Sequence, residues 1–573
     1  MKTVFVGINS KFIHTCLAVW YLKANCNNQS SYTIKEFTIN EQRDSLLSDI
    51  YNEKPDIAAF SCYIWNIEII NALSRELKAL LPNCIIIFGG PEVSYYPGNV
   101  LEQNDSIDYV ICGEGEIILP VLLKDIEGGT HNYRDFSGIA YRNGKEIIIR
   151  EGFNLVPDLN LLESPYTEEF LDTVNNRILY FESSRGCPFS CSYCISSTFN
   201  GIRFYSIDRV KTELNKLLLT KPKLIKFVDR TFNCHKERAK EIIEYIISLE
   251  CNTAFHFEAA ADLFDDDLLE LLSRAPKGRI QLEIGIQTTN AKTLKEIDRV
   301  TNLDRLKNNV KNILANQNVH VHLDLIAGLP FEDYRSFISS FNDVFNLGPH
   351  QLQLGFLKML RGSKIRREAD MHSYLFRSYP PYEILKNKYL TYEELLVLKD
   401  IEEAVERYYN TNRFTRSIEL LKSKLIAEPF ELFRKIAEYC RENGYYNRPV
   451  SYRENIAVLF SFMKKECPDH MVVEGFRQAM VFDFLSSDSS GSIPDAIRSD
   501  KDFIPVNSIH ELLRDEEFIE KYIPAFKGIQ VKNIIKKVFM VKLSPHDIIL
   551  FNYTEKDPIT EKYEFHYVKS MEK

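Results

Sequence analysis

The sequence predicts an α/β chain in three parts: an N-terminal doubly wound parallel sheet of flavodoxin-like type, a partial (β/α)6 barrel, and a mainly helical C-terminal region with some β. Three observations predict it. Over residues 1–125, short apolar runs alternate with amphipathic stretches of helical period. From residue 178 the alternation resumes on a longer pitch, with six further runs. From about residue 370 the chain becomes rich in charge and helical in period, turning to β near its end. Alternating β and α elements imply parallel sheets.

In chain order, TVFVGIN (3–9), SYTIKEFTIN (31–40), DIAAFSCYIW (56–65), CIIIFGG (84–90) and IDYVICGE (107–114) read as the strands of the first unit. Several are apolar almost throughout, as strands covered on both faces are. Between them, residues 66–81 place Ile67, Ile70, Leu73, Leu77 and Leu80 near one helix face. Ligands of such sheets bind beyond the carboxyl ends of the strands. The polar or glycine-rich ends are Asn9-Ser10, Ser61, Gly89-Gly90-Pro91-Glu92 and Gly113 to Glu116. Residues 126–177 read as a polar connector holding one hairpin, YRNGKEIIIR, with NG as its turn.

The second unit, 178–365, offers ILYFESS (178–184), KLIKFVD (223–229), TAFHFEA (253–259), RIQLEIG (279–285), VHVHLDLIA (319–327) and QLQLGFL (351–357) as strands, with helices at 236–249 and 303–316 between them. Barrels of this kind carry their chemistry at the C-terminal ends of the strands. Residues 370–573 form a third unit without a recognisable motif.

Composition is that of a globular chain, 45% hydrophobic and 26% charged, and 573 residues exceed one ordinary domain. The net charge of −9 argues against a nucleic-acid binder relying on bulk charge. No run reaches the roughly 18 apolar residues of a membrane span. The start, MKTVFVGIN, reads as a first strand and not as a signal peptide. A cytoplasmic protein is expected, its twelve cysteines thiols or metal ligands.

Three of those cysteines, Cys187, Cys191 and Cys194, fall within eight residues, in the loop after the first barrel strand. Structural zinc wants four ligands, and no histidine lies between 132 and 234, so zinc would need a distant Cys234 or His235. A [4Fe–4S] cluster normally takes four thiolates. Three would leave one iron open, and an open metal position usually means catalysis.

The C-x3-C-x2-C spacing, the flanking GlyCysProPhe and Tyr193, and the place of the loop at the opening of a βα barrel resemble the radical S-adenosylmethionine (SAM) family, over residues 178 to about 365. The resemblance implies that Cys187, Cys191 and Cys194 hold a [4Fe–4S] cluster whose fourth iron takes SAM. One electron then cleaves SAM to a 5′-deoxyadenosyl radical. It also implies that Gln287 and Gly285, with Glu283 on the same strand face, reach the SAM ribose or carboxylate. Ile326, with Gly328 and Pro330, would pack on adenine. Asp229 stands where the family often has a glycine-glycine-glutamate stretch for the SAM ammonium, a stretch this chain lacks, and Glu258 is a further candidate.

In the first unit, NSKFIHTCLAVWYL, SCYIWN, GGPEVS and CGEGE together resemble the cobalamin-binding domain that precedes many such barrels. Ser10, His14, Ser61, Gly89, Gly90 and Glu114 are its candidate contacts. Many such domains carry Asp-x-His-x-x-Gly, which AsnSerLysPheIleHis (9–14) does not complete, so cobalt is expected to lack a histidine lower ligand. The implied activity is methylation of an unactivated carbon through methylcobalamin. The alternatives are radical rearrangement, cyclisation or oxidation with cobalamin as electron relay, and a sensor that never turns over SAM. The implied partners are a small-molecule or peptide substrate and an electron donor such as flavodoxin or ferredoxin.

Overall fold

The computed structural model describes residues 1–26, 31–199, 201–543 and 547–569. Its first sheet is seven-stranded, in the order β2-β1-β3-β4-β5-β6-β7. The strands are β1 (Lys2–Asn9), β2 (Ser31–Thr38), β3 (Ile57–Ser61), β4 (Ile85–Gly89), β5 (Tyr109–Ile111), β6 (Ile139–Asn143) and β7 (Glu146–Arg150). Strands β1 to β5 run parallel, and β6 and β7 add antiparallel at one edge. The hairpin expected in the connector is therefore there, but it extends the first sheet. Both faces are covered: Phe5 packs into one apolar core and its neighbours Val4 and Val6 into another.

Strand β3 stops at Ser61, four residues short of the expected end. Asn66 turns the chain there, donating to Ile8 O and Ser61 O at 3.0 Å each and accepting from Tyr63 N at 2.7 Å. The helix that follows, Ile67–Leu80, buries Ile67, Ile70, Leu73 and Leu77 as their spacing requires, whereas Leu80 at its end is exposed.

The barrel sheet has the order β15-β14-β13-β12-β11-β8, all parallel. Its strands are β8 (Leu179–Phe181), β11 (Leu224–Phe227), β12 (Ala254–Glu258), β13 (Ile280–Gln287), β14 (His320–Ala327) and β15 (Gln351–Phe356). A small antiparallel hairpin, β9 (Ser184–Gly186) with β10 (Ile202–Phe204), interrupts it and carries the cysteine loop between its arms. Along β13 and β14 burial alternates strictly, so one face packs on helices and the other faces the barrel interior.

Beyond β15 a short hairpin, β16 (Leu375–Phe376) with β17 (Ile384–Lys386), leads into helices at Tyr392–Val405, Thr415–Lys424, Pro429–Glu442, Tyr452–Glu466 and His470–Ser487. The first of these opens on a capping box formed by Thr391 and Glu394. An antiparallel sheet of β18 (Val538–Lys542), β19 (Asp547–Lys556) and β20 (Tyr563–Lys569) follows. No helix among the described residues is long and apolar enough to cross a membrane.

Candidate functional site

A cavity of about 670 Å³ lies between the strand-end loops of the first sheet and the mouth of the barrel. All six residues expected at a cobalamin, Ser10, His14, Ser61, Gly89, Gly90 and Glu114, line it. The barrel contributes Tyr180, Glu182, Arg185 and Arg230 to the same wall. The cavity thus joins the two units in one space.

The two glycines differ in what they serve. Gly90 has φ +110°, and a Cβ there would strike Cys62 O at 2.6 Å, so the protein's own backbone demands glycine. A Cβ on Gly89 would meet nothing nearer than Ile111 O at 3.9 Å. Its missing side chain leaves room that the protein does not fill, which fits a bulky ligand against the strand end. Gly89→Val should therefore fold normally and lose corrinoid binding by at least tenfold in equilibrium dialysis, whereas Gly90→Ala should cost about 1–3 kcal/mol of stability from backbone strain alone.

His14 sits in the loop ahead of the first helix and reaches across to the barrel, where its Nδ1 pairs with Tyr180 Oη at 2.7 Å. Burial, then Lys11 and Lys226, holds its pKa below the usual histidine value. Glu114 is also drawn to the barrel. Arg203 grips it with both terminal nitrogens, at 2.6 and 2.8 Å, and Val156 N donates to it at 2.6 Å. Burial pushes its carboxyl up, but Arg203 and Arg185 bring it below the normal range. Arg185, two residues before Cys187, reaches Glu116 at 2.7 Å and Glu182 at 2.9 Å. The sequence showed neither arginine as functional.

The cysteine loop is clamped from several sides. Ser192 N donates to Ile297 O, and Ile365 N to Ser192 O, both at 2.9 Å. Ser197 Oγ donates to Cys191 O at 3.0 Å and to Cys194 O at 2.6 Å. Cys187 Sγ lies 3.5 Å from Thr231 Oγ1. Arg299 donates to Cys191 Sγ at 3.8 Å and to Tyr193 Oη at 3.2 Å. Burial raises the Cys191 pKa, and Arg299 opposes it.

Asp229 does not line the cavity. It is 2% exposed and accepts from Ser183 N at 3.0 Å and Ser183 Oγ at 2.7 Å, with Ser184 Oγ beside it. It braces the segment leading into the cysteines. Of the residues weighed for zinc, His235 caps the helix Lys236–Ser248 through its Nδ1, and burial and the nearby Cys187 push Cys234 up to about 11. Among the described residues no three Cys, His, Asp or Glu side chains stand assembled as a metal site. The thiols share one fixed loop without being drawn to one point. A [4Fe–4S] cluster held by three thiolates would keep one iron open.

Inside the barrel, Glu258 and Glu283 are register partners on β12 and β13. Glu283 accepts from Lys226 Nζ at 3.1 Å and pairs with His256 Nε2 at 3.1 Å. Burial would raise its pKa, but His256 and Lys226 bring it down to about 2. Glu258 is raised by burial. Asp324, on β14, is held well above the carboxylate range by burial and then by Glu283 and Glu258. Gln287 has φ +71° at the register shift that ends β13, and Ile326 stands half-buried on β14. Gln287 Oε1 and His256 Nδ1 are buried without a hydrogen-bond partner, whereas Asp324 Oδ1 lies 3.2 Å from His322 Nε2. Orphaned buried polar atoms are rare, and these fit a polar ligand such as SAM. Lys226, His256 and Asp324 were missed because, in a strand pattern, they look like ordinary interior polar residues.

A fold with two α/β units facing one cavity, the second presenting a three-thiol loop, defines a class of protein that brings two cofactors together. Comparison with known proteins agrees. Residues 3–123 match the B12 binding domain, residues 181–344 the radical SAM superfamily, and residues 370–563 a protein of unknown function, DUF4080. The chain thus joins a match to the B12 binding domain with a match to the radical SAM superfamily, and the cofactors these two domains correspond to are a [4Fe–4S] cluster, SAM and cobalamin. It is 27% identical over 57% of its length to the cobalamin-dependent radical SAM methyltransferase TokK of Streptomyces tokunonensis, covering 50% of that protein. It is 26% identical over 63% of its length to the 2-(S-pantetheinyl)-carbapenam-3-carboxylate methyltransferase of Streptantibioticus cattleyicolor, covering 54% of that protein. The chain thus spans about half the length of these curated relatives. Its fold resembles that of the cobalamin-dependent S-adenosylmethionine radical enzyme OxsB, with a TM-score of 0.57 at 15% identity over 84% of this chain and 79% of that one. It also resembles TsrM from Kitasatospora setae, with a TM-score of 0.53 at 13% identity over 67% and 79%.

Proposed function

We propose that the chain is a cobalamin-dependent radical SAM methyltransferase acting on an unactivated carbon of a small molecule or peptide. The observation that supports this is the single cavity walled both by the strand-end loops of the B12-binding sheet and by barrel residues leading into the cysteine loop. Cys187, Cys191 and Cys194 would hold the cluster. Glu258, Glu283, Gln287 and Ile326 would face SAM, and Ser10, His14, Ser61, Gly89, Gly90 and Glu114 would surround cobalamin. When bound, these cofactors supply a radical able to take hydrogen from carbon and a transferable methyl group.

The chain's own residues supply geometry and charge. Arg185 and Arg203 lock the Gly113–Glu116 loop to the hairpin that carries the cysteines, fixing the distance between the two cofactor positions. Arg299 sets a cation against Cys191. Asp229 holds the approach to Cys187 from behind. His256 and Lys226 favour the carboxylate of Glu283, while burial beside Glu283 and Glu258 favours the protonated form of Asp324 on the adjoining strand.

Reduced, reconstituted protein given SAM and substrate should release 5′-deoxyadenosine and S-adenosylhomocysteine in equal amounts. Extracts of cells with and without the gene should differ by one product heavier by a methylene. Release of neither nucleoside would mark a sensor. A second reading is favoured by the anaerobic magnesium-protoporphyrin IX monomethyl ester cyclase of Synechocystis, 28% identical over 243 residues. Radical oxidation of that kind would give 5′-deoxyadenosine without S-adenosylhomocysteine.

A further inference from the structure

We propose that residues 358–388 form the docking surface for an acidic one-electron carrier protein, which delivers its electron beside the cysteine loop. The proposal rests on reading that loop as the holder of a reducible cluster. Within 358–388 the chain has eight Lys or Arg against three Asp or Glu, a local balance of +5 in a chain of net −9. Two of those cations are committed: Arg361 to Glu92 at 3.0 Å and Lys364 to Asp298 at 2.8 Å. Among the described residues, Lys358, Arg366, Arg367, Arg377, Lys386 and Lys388 form no ion pair with a carboxylate. A concentration of one sign on an oppositely charged protein raises the rate at which a complementary partner arrives.

The same segment has an apolar centre. Met371 is 65% exposed and Leu375 51%. Leu375 is the cross-strand partner of Lys386, and Lys388 N donates to His372 O, next to Met371. Exposed apolar groups rimmed by charge are the anatomy of a transient protein contact.

Position supplies the function. Ile365 N donates to Ser192 O at 2.9 Å, and Ser192 lies between Cys191 and Cys194. Gly362, three residues earlier, lies against the Tyr95 ring, and the Tyr95 hydroxyl pairs with Thr198 Oγ1 at 2.8 Å just past the cysteines. The basic segment therefore touches the loop itself. A nucleic acid or an anionic membrane would satisfy the charge but has no use for contact with the cysteine loop. A carrier protein satisfies both: one electron leaves its reduced centre and enters the cluster, with no bond made or broken and no proton moved.

The test uses the holoenzyme and flavodoxin in its hydroquinone form. The K386E/K388E double variant should slow flavodoxin-driven cluster reduction about tenfold at low salt, the gap closing at high salt as charges are screened. Binding of labelled, oxidised flavodoxin should weaken in parallel. Reduction by dithionite, which needs no docking, should not change. Unchanged flavodoxin binding and rate in the variant would overturn the proposal, as would tighter binding of a polynucleotide or of phosphatidylglycerol vesicles than of flavodoxin to the wild type. Failure of dithionite to reduce any cluster would instead sink the reading of the loop, while the binding measurement still decides the surface.

Discussion

Replacing Cys187, Cys191 or Cys194 with alanine is expected to empty the anaerobically purified protein of iron, from about four per chain to near zero. Each thiolate would serve one iron. A single deletion would leave two irons without a protein ligand. Corrinoid binding should survive all three changes, because the residues around that part of the cavity belong to the loops after β1, β3, β4 and β5. Iron analysis and the visible spectrum of each variant check this, with corrinoid retention as the internal control for folding. SAM cleavage should fall to background. A variant that keeps its iron shows that the ligands lie elsewhere. Air should bleach the wild type, since an iron without a protein ligand is open to oxidants.

The second large effect concerns Arg185. Its side chain is 11% exposed, that of Glu116 8% and that of Glu182 15%. Arg185→Ala leaves Glu116 without the cation that pairs with it and sets it near Glu182, both out of water. Breaking a buried pair from one side costs about 3–5 kcal/mol. The loss should depend on pH in a definite sense. Burial already holds the Glu182 carboxyl above its ordinary value even with Arg185 opposing it. Without the arginine, the folded-state value of Glu182 rises further above that of the unfolded chain. A raised carboxyl costs nothing below its unfolded pKa, and the cost grows as pH climbs through the folded one. The deficit should therefore be largest near neutrality and shrink toward pH 5, read as urea midpoints across that range. Arg185→Lys should recover only part of the stability, since one ammonium cannot reproduce the planar grip of a guanidinium on two carboxylates. Because Arg185 leads into Cys187, the alanine variant should also hold iron less firmly.

Much of the fold is legible in the sequence. The strands of both parallel sheets follow from local apolar runs, and the inward and outward faces of β13 and β14 from simple alternation. The readings that shifted share a cause. Strand β3 was read too long because Asn66 ends it through bonds to Ile8 and Ser61 that no local pattern encodes. The hairpin at 139–150 is legible as a hairpin, but its pairing with β5 is long-range and so its place in the first sheet is not. Asp229 is a SAM candidate only through the family resemblance, and its bonds to Ser183, set by the fold, turn it to the protein.

The sequence alone determined the class of fold and the three thiols, because strand period and cysteine spacing are written in consecutive residues. It also placed the loops that wall the cavity, since glycines and polar residues at strand ends are local signals. Only the tertiary structure decided which charges matter. Arg185 and Glu116 are 69 residues apart in sequence, and Arg299 and Cys191 are 108. In a chain that is 26% charged, such residues look like solvated surface until folding brings them together. An ion pair gains its strength from the water that both partners lose, and that loss is a property of the packed molecule, not of any stretch of chain.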